Sequence, residues 1–325
     1  MSKLEVREIG PISGETEVRL AEGATAVGFS GNSNIIINGG FDVWQRGTSF
    51  TSTSPNEYSA DRWRTEGHGH NTTISQQSFT FGQTDVPNYP TYFCRIESSS
   101  TVASGQYWAF QQRVERPQFI SGSDTYTLSF WVKSTAPVPA GAFNFGIPHP
   151  SNLESSPALT TSWQKVTTTR TIASSASSVS IYIVYFGEGQ GNITVDIADV
   201  QLEIGNVATP FEREFFGNTV AKCQRYYCKS YNLDIAPQTN NSLGRHYFYL
   251  SPNLTSGNKG AMVSFPVTMK STPTITIYEQ ASGISGQFFG GIPAIVTVAG
   301  QRSFMAYGET TGKDFYAHWT ADAEL

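Results

Sequence analysis

Five acidic residues stand where they could do chemistry: Asp42, Asp61, Asp196, Asp199 and Glu203. Glycoside hydrolysis needs two carboxyl groups roughly 5–9 Å apart, one to protonate the leaving oxygen and one to act as base or nucleophile. The surroundings of these five argue for a different duty. Asp42 follows Gly39 and Gly40, and Asp61 precedes Arg62. An aspartate beside glycine or arginine is first a turn-former or an ion-pair partner. No Gly-x-Ser-x-Gly occurs, so there is no nucleophile elbow. His68-Gly-His70 has chelating spacing but lacks a third ligand at a defined position, and an exposed glycine-rich loop is the plainer expectation. Cys94, Cys223 and Cys228 are odd in number and form no disulfide framework; Cys223 is expected to pack at a helix interface.

Aromatic residues make up 13% of the chain. Most fall on inward-facing positions, while Trp44, Tyr58, Tyr89, Tyr107 and Trp131 are expected at the surface. Of these, Trp44, Tyr58, Tyr107 and Trp131 are candidate glycan-stacking residues, because a flat ring matches the apolar C–H face of a sugar. Trp63 is expected to be a core anchor beneath Arg62, with Asp61 and Arg62 paired to hold their loop.

Composition narrows the function further. Charged residues are only 14% of the 325, with a net charge of −5, and no Lys/Arg run appears. That excludes a nucleic-acid groove. No stretch approaches the ~18 apolar residues that cross a bilayer, so no membrane insertion is expected. The first residues carry no apolar signal-peptide core, so synthesis in the cytoplasm and release with an assembled particle is the expectation.

The elements that must position these residues are strands. From residue 34 the apolar period is two: Tyr126, Leu128, Phe130 and Val132 make the clearest face, and Val179, Ile181, Ile183 and Tyr185 read as another. Polar turns such as 121–124 separate them. Between Ile193 and Ile204 the phase changes midway, which requires an extra residue, and a β-bulge is expected at Ala198–Asp199. Asn218 suits an N-cap, and Val220, Cys223 and Tyr227 share one face, predicting a helix over 218–229. Beyond it Val263, Phe265, Val267 and Met269 alternate, as do Ala317 and Trp319. The fold class is therefore all-β: a jelly-roll β-sandwich, a short helix and a second, smaller β-sandwich, preceded by an extended N-terminal arm. The expected divisions are 1–33, 34–213, 214–229 and 230–325.

Four motifs occur in order: Asn34-Ile-Ile-Ile-Asn-Gly-Gly-Phe-Asp-Val-Trp-Gln-Arg-Gly-Thr48, Ala60-Asp-Arg-Trp63, Asp199-Val-Gln-Leu-Glu-Ile-Gly-Asn-Val-Ala-Thr-Pro-Phe-Glu-Arg213 and Cys223-Gln-Arg-Tyr-Tyr227. Over residues 34–227 the chain resembles tail-fibre and virion-appendage proteins of tailed bacteriophages, which carry a carbohydrate-binding-module-like jelly roll. The resemblance implies a non-enzymatic virion protein, on tail or head, that contacts a host-surface glycan or protein receptor; a tailspike-type polysaccharide depolymerase is the rival. It implies a homotrimer, with the 218–229 helix offering an apolar stripe about a threefold axis. It also implies a structural calcium held by Asn38, Asp42 and Asp199, although the closing pair reads Ala198-Asp199 rather than two acids. Residues 1–33 would dock on other virion proteins and 230–325 would lie farthest out, with loops 280–291 and 308–313 facing the host. Phe288 and Phe289 have a competing use in a trimer seam.

Overall fold

The computed structural model describes residues 34–52, 55–68, 70–115, 125–147, 153–171, 178–248, 258–309 and 315–325. The expected arm 1–33, the turn 121–124 and residues 310–313 of the second loop lie outside the described residues. Contacts divide the chain into 1–33 and one compact unit, 34–325. Every described strand and helix belongs to the second of these.

Its first part holds β1 (Ser49–Ser52), β2 (Trp63–Gly67), β3 (Thr72–Ser78), β4 (Tyr92–Ser98), β5 (Trp108–Glu115), β6 (Thr125–Ser134), β7 (Asn144–Gly146), β8 (Glu154–Ser155), β9 (Gln164–Thr171), β10 (Ser178–Phe186) and β11 (Thr194–Ile204). They form a six-stranded sheet, β1-β3-β4-β11-β6-β9, and a five-stranded sheet, β2-β5-β10-β7-β8. The jelly-roll sandwich is thus observed. The cause is the period of two. Tyr126, Leu128, Phe130 and Val132 are each fully buried, against Trp63, Phe110, Ile181 and Phe186 from the facing sheet. Each such side chain contributes about 1.5–3 kcal/mol on burial.

Two bulges break that period. In β11 the register slips between Ala198 and Gln201, and Asp199 takes φ 52°, where the phase change placed it. The second was not anticipated. β10 slips against β5 between Tyr182 and Val184. Val184 returns to the core, and Tyr185 follows Tyr182 to the opposite face. The inward placement of Tyr185 is corrected by that one inserted residue.

The helix α1 runs Phe216–Gln224, shorter than 218–229. Phe215 occupies the N-cap with no side-chain hydrogen bond, so Asn218 does not cap it. It stops because residues 227–229 are captured by a strand pairing: β12 (Tyr227–Lys229) runs against β20 (Phe315–Asp322), with Tyr227 opposite Asp322. The helix's apolar side packs within its own chain, Cys223 and Val220 in one cluster with Tyr226 beyond the helix and with Ile37 and Val43. The stripe expected to close a trimer is covered.

Between them lie β13 (His246–Phe248), β14 (Asn258–Ser264), β15 (Thr274–Tyr278), β16 (Gln287–Phe288), β17 (Ile292–Pro293), β18 (Ile295–Thr297) and β19 (Ser303–Glu309). β20 pairs with β12, β13 and β15, and β14-β19-β18 form a second sheet. Their shared core contains Phe248, Val263, Phe288, Phe304 and Trp319. This is the smaller sandwich. Phe288 is fully buried there, so it fills a core and no seam; Phe289 is 40% exposed. Among the described residues no helix is long and apolar enough to cross a membrane.

Candidate functional site

Residues of the first, second and fourth motifs meet at the junction of the two sandwiches, while the third packs on the first motif through Gly39 and Val200. Asn38 takes φ 59° and ties its turn together: its Nδ2 donates to the Val43 and Asp61 carbonyls (2.8 and 3.0 Å), and its Oδ1 accepts from Val43 N (3.0 Å). Gly39 is required beside it, since a Cβ there would stand 2.0 Å from the Val200 carbonyl oxygen. Trp63 donates to the Asn38 carbonyl (3.0 Å) and is fully buried, the expected core anchor.

Asp61 and Arg62 do not pair with each other. Asp61 accepts from the Gln45 backbone and side-chain nitrogens and lies 3.8 Å from Arg46. Burial pushes its pKa up to about 6, against the pull of Arg46 and the Gln45 hydrogen bonds. Arg62, 1% exposed, bonds Glu324, donates to the Arg113 carbonyl (2.7 Å) and covers the Tyr226 ring at 3.5 Å. Arg46 reaches Asp322 (3.2 Å) and Glu324 (3.4 Å) and lies 3.6 Å over the Tyr227 ring. The Ala-Asp-Arg-Trp and Cys-Gln-Arg-Tyr-Tyr motifs are joints between sandwiches.

Two of the three proposed calcium ligands are already engaged. The Asn38 carboxamide is engaged by Val43 and Asp61, and Arg213 Nη2 donates to both Asp199 oxygens (2.7 and 2.9 Å). Arg213 also faces Asp42, whose pKa burial raises while Arg213 lowers it. Burial pushes Asp199 up to about 6 despite that arginine. The positive charge at this place is a guanidinium, and the residues do not fit calcium. Among the described residues no group of three or more His, Cys, Asp or Glu could hold a metal. His68 and His70 diverge: His68 is exposed, whereas His70 is buried, shares a 2.7 Å hydrogen bond with Ser98 Oγ and has its pKa lowered by burial. The exposed loop expected at both histidines holds at His68 alone.

The remaining carboxylates are similarly engaged. Asp196 takes Arg95 Nε and Nη2 (2.7 and 2.9 Å), with Lys133 at 3.8 Å. Glu203 accepts from Gln201 Nε2, Thr209 N and Thr209 Oγ1 (3.0, 2.9 and 2.7 Å).

The four candidate stacking aromatics do not converge. Trp44 is 6% exposed and donates to the Phe41 carbonyl (2.8 Å), so it is core. Tyr58 donates to the Leu325 carbonyl (2.8 Å) at the junction. Trp131 is half-buried on the outer face of the six-stranded sheet, opposite Ala198 and Lys165. Tyr89 is 74% exposed in the 82–91 loop. Tyr107 alone belongs to a built surface.

That surface is the outer face of the five-stranded sheet. Tyr107 leads into β5 and stacks on Tyr185 of β10, with ring centroids 5.4 Å apart and planes 14° from parallel. His68 meets the edge of Tyr107 at 6.2 Å. Beside them Glu66 of β2 accepts from Tyr182 Oη (2.7 Å) and Gln111 Nε2, with Arg113 Nη2 at 3.6 Å. Burial, then for Tyr107 the Glu66 carboxylate, raises both Tyr107 and Tyr185, which stay protonated donors. Two half-buried stacked rings beside fixed donors and a carboxylate can hold an extended polyhydroxyl chain. Tyr185, Tyr182 and Glu66 were missed from sequence; two tyrosines three apart are on one face only because of the bulge.

No family model matches this chain, and neither does any curated protein. Solved structures do. The enzymatically active domain of bacteriophage CBA120 tailspike protein 4 is 14% identical with a TM-score of 0.34, over 53% of this chain and 22% of that one. A module described as CBM4 is 22% identical with a TM-score of 0.29, over 52% of this chain and 98% of that one. The family 11 carbohydrate-binding module from Clostridium thermocellum, in complex with a β-1,3-1,4-mixed-linked tetrasaccharide, is 10% identical with a TM-score of 0.29, over 50% and 99%. This chain thus spans about a fifth of the tailspike domain's length. Likeness at this level assigns no role to any residue here.

Proposed function

We propose that the chain is a non-enzymatic, glycan-binding component of a phage virion appendage, and that it reads its glycan across the outer face of the five-stranded sheet. The observation that carries this is the Tyr107–Tyr185 stack set beside the Glu66–Tyr182–Gln111 hydrogen-bond cluster. Rings supply apolar faces for sugar C–H groups, and the fixed polar groups select hydroxyl positions. The binding role is supported further by the carboxylates. Asp61, Asp196, Asp199 and Glu203 are each held by hydrogen-bond or ion-pair partners, the arrangement of carboxylates that fasten turns and strands. Residues 1–33, a unit of their own, attach the appendage to the particle. Assembly as a homotrimer is part of the proposal, with Phe215 (86% exposed) and Phe216 (53%) as apolar residues available to an interface.

The test is binding of host-surface polysaccharide to the full chain and to Tyr185→Ala and Tyr107→Ala, with circular dichroism as the control for folding. At least tenfold weaker binding in both variants is expected, equivalent to about 1.4 kcal/mol. Unchanged binding in both would move the site elsewhere. Release of reducing ends from the polysaccharide would make the protein a depolymerase.

A further inference from the structure

A separate feature lies on the second sandwich. In β15 the period of two places Ile275 and Ile277 toward the core and Thr274, Thr276 and Tyr278 on the other face. The strand pairing sets Thr276 opposite Thr320 and Thr274 opposite Asp322, both of β20. Arg46 reaches this face from the first sandwich, and the 237–238 loop closes its side. Together they line an open cleft of about 650 Å³. That is within the roughly 300–1,000 Å³ of small-molecule sites.

The chemistry of the lining narrows the ligand. Three threonine hydroxyls donate and accept, as sugar hydroxyls do. Arg46 is already matched by Asp322 at 3.2 Å, Glu324 at 3.4 Å and Asp61 at 3.8 Å. A strongly anionic ligand would have to displace those carboxylates, and a cationic one would compete with Arg46 itself. We infer that this cleft is a second saccharide site, taking a short uncharged sugar and distinct from the tyrosine-stacked sheet face. Because Arg46 and Asp322 come from different sandwiches, the site exists only while the two are joined.

The experiment uses the full chain and saturation-transfer NMR with glucose, galactose, N-acetylglucosamine and glucuronate as probes. Thr276→Trp and Thr274→Trp each fill the cleft from a different position on β15, so one variant remains informative if the other misfolds. The expected result is saturation of at least one neutral sugar, reduced about tenfold or more by either folded variant and retained in Tyr185→Ala. No neutral sugar bound, preference for glucuronate, or binding indifferent to both tryptophans would each overturn the assignment. Loss in Tyr185→Ala with retention in the tryptophan variants would also overturn it while leaving the sheet-face reading intact. Loss in the tryptophan variants alone upholds it whatever becomes of that reading.

Discussion

Replacing Arg62 by methionine keeps most of the aliphatic stem and removes the guanidinium. Three things are lost together: the bond to Glu324, the donor to the Arg113 carbonyl and the cation over the Tyr226 ring. Glu324 is 5% exposed at its side chain, so its charge is left buried. Breaking such a pair from one side costs ~3–5 kcal/mol. Arg46 remains 3.4 Å from Glu324 and holds the loss toward the lower end, while the vacated ring face adds back ~1–2 kcal/mol. A net loss of about 4 kcal/mol is expected, a fall in Tm of roughly 8–16 °C for a unit of this size. Urea denaturation of Arg62→Met, Glu324→Leu and the double variant measures it. The double variant should be less destabilised than the sum of the two by ~1–3 kcal/mol, because the pair fails as a unit. A loss below about 1 kcal/mol in Arg62→Met, or strict additivity, would refute the view that this arginine joins the sandwiches.

Gly39→Ala should destabilise by more than ~2 kcal/mol and cut the soluble yield, since its Cβ would meet the Val200 carbonyl oxygen at 2.0 Å and neither backbone can yield cheaply. Asp199 has a folded pKa of about 6, above its ordinary 3.8, so its protonation favours the folded state and that stability is present below pH 4 and lost as pH rises through 6. Across pH 4–7 Asp199→Asn should flatten the decline in unfolding free energy, measured by urea denaturation, by about 2 kcal/mol; an unchanged slope would count against the shift. Buried Cys94, Cys223 and Cys228 all have raised pKa values, Cys228 to about 12, so native protein should be inert to a thiol reagent at pH 8 and label three times in denaturant.

The strands were legible because burial on one face imposes a period of two, and the Tyr126–Val132 run shows it without interruption. The β11 bulge was legible for the same reason: apolar residues on both sides of it are core, so the slip shows as a phase error. The β10 bulge left no such trace. Ile183 and Val184 are both core, and a tyrosine three places after another fits either face. The junction was illegible for a different reason. Arg46 and Arg62 lie 278 and 262 residues from Glu324, and charge alone does not say which of 26 acids an arginine will meet. The helix was overextended because Tyr227 fits a helical face as well as it fits strand β12, and only the distant β20 decides.

Asn38 binds the Asp61 carbonyl, and the next residue, Arg62, binds Glu324. The beginning and the end of the compact unit are thereby fastened to one dipeptide. Mechanically the unit is a loop whose two ends are clasped together by Arg62, Arg46 and Tyr58. A pull on the five-stranded sheet reaches residue 34 through strands of the first sandwich, without crossing α1 into the second. A load on the second sandwich is shared between the covalent α1 segment, the Arg62–Glu324 joint and the Arg46–Asp322 joint, so the two arginines act as a clasp alongside the chain itself.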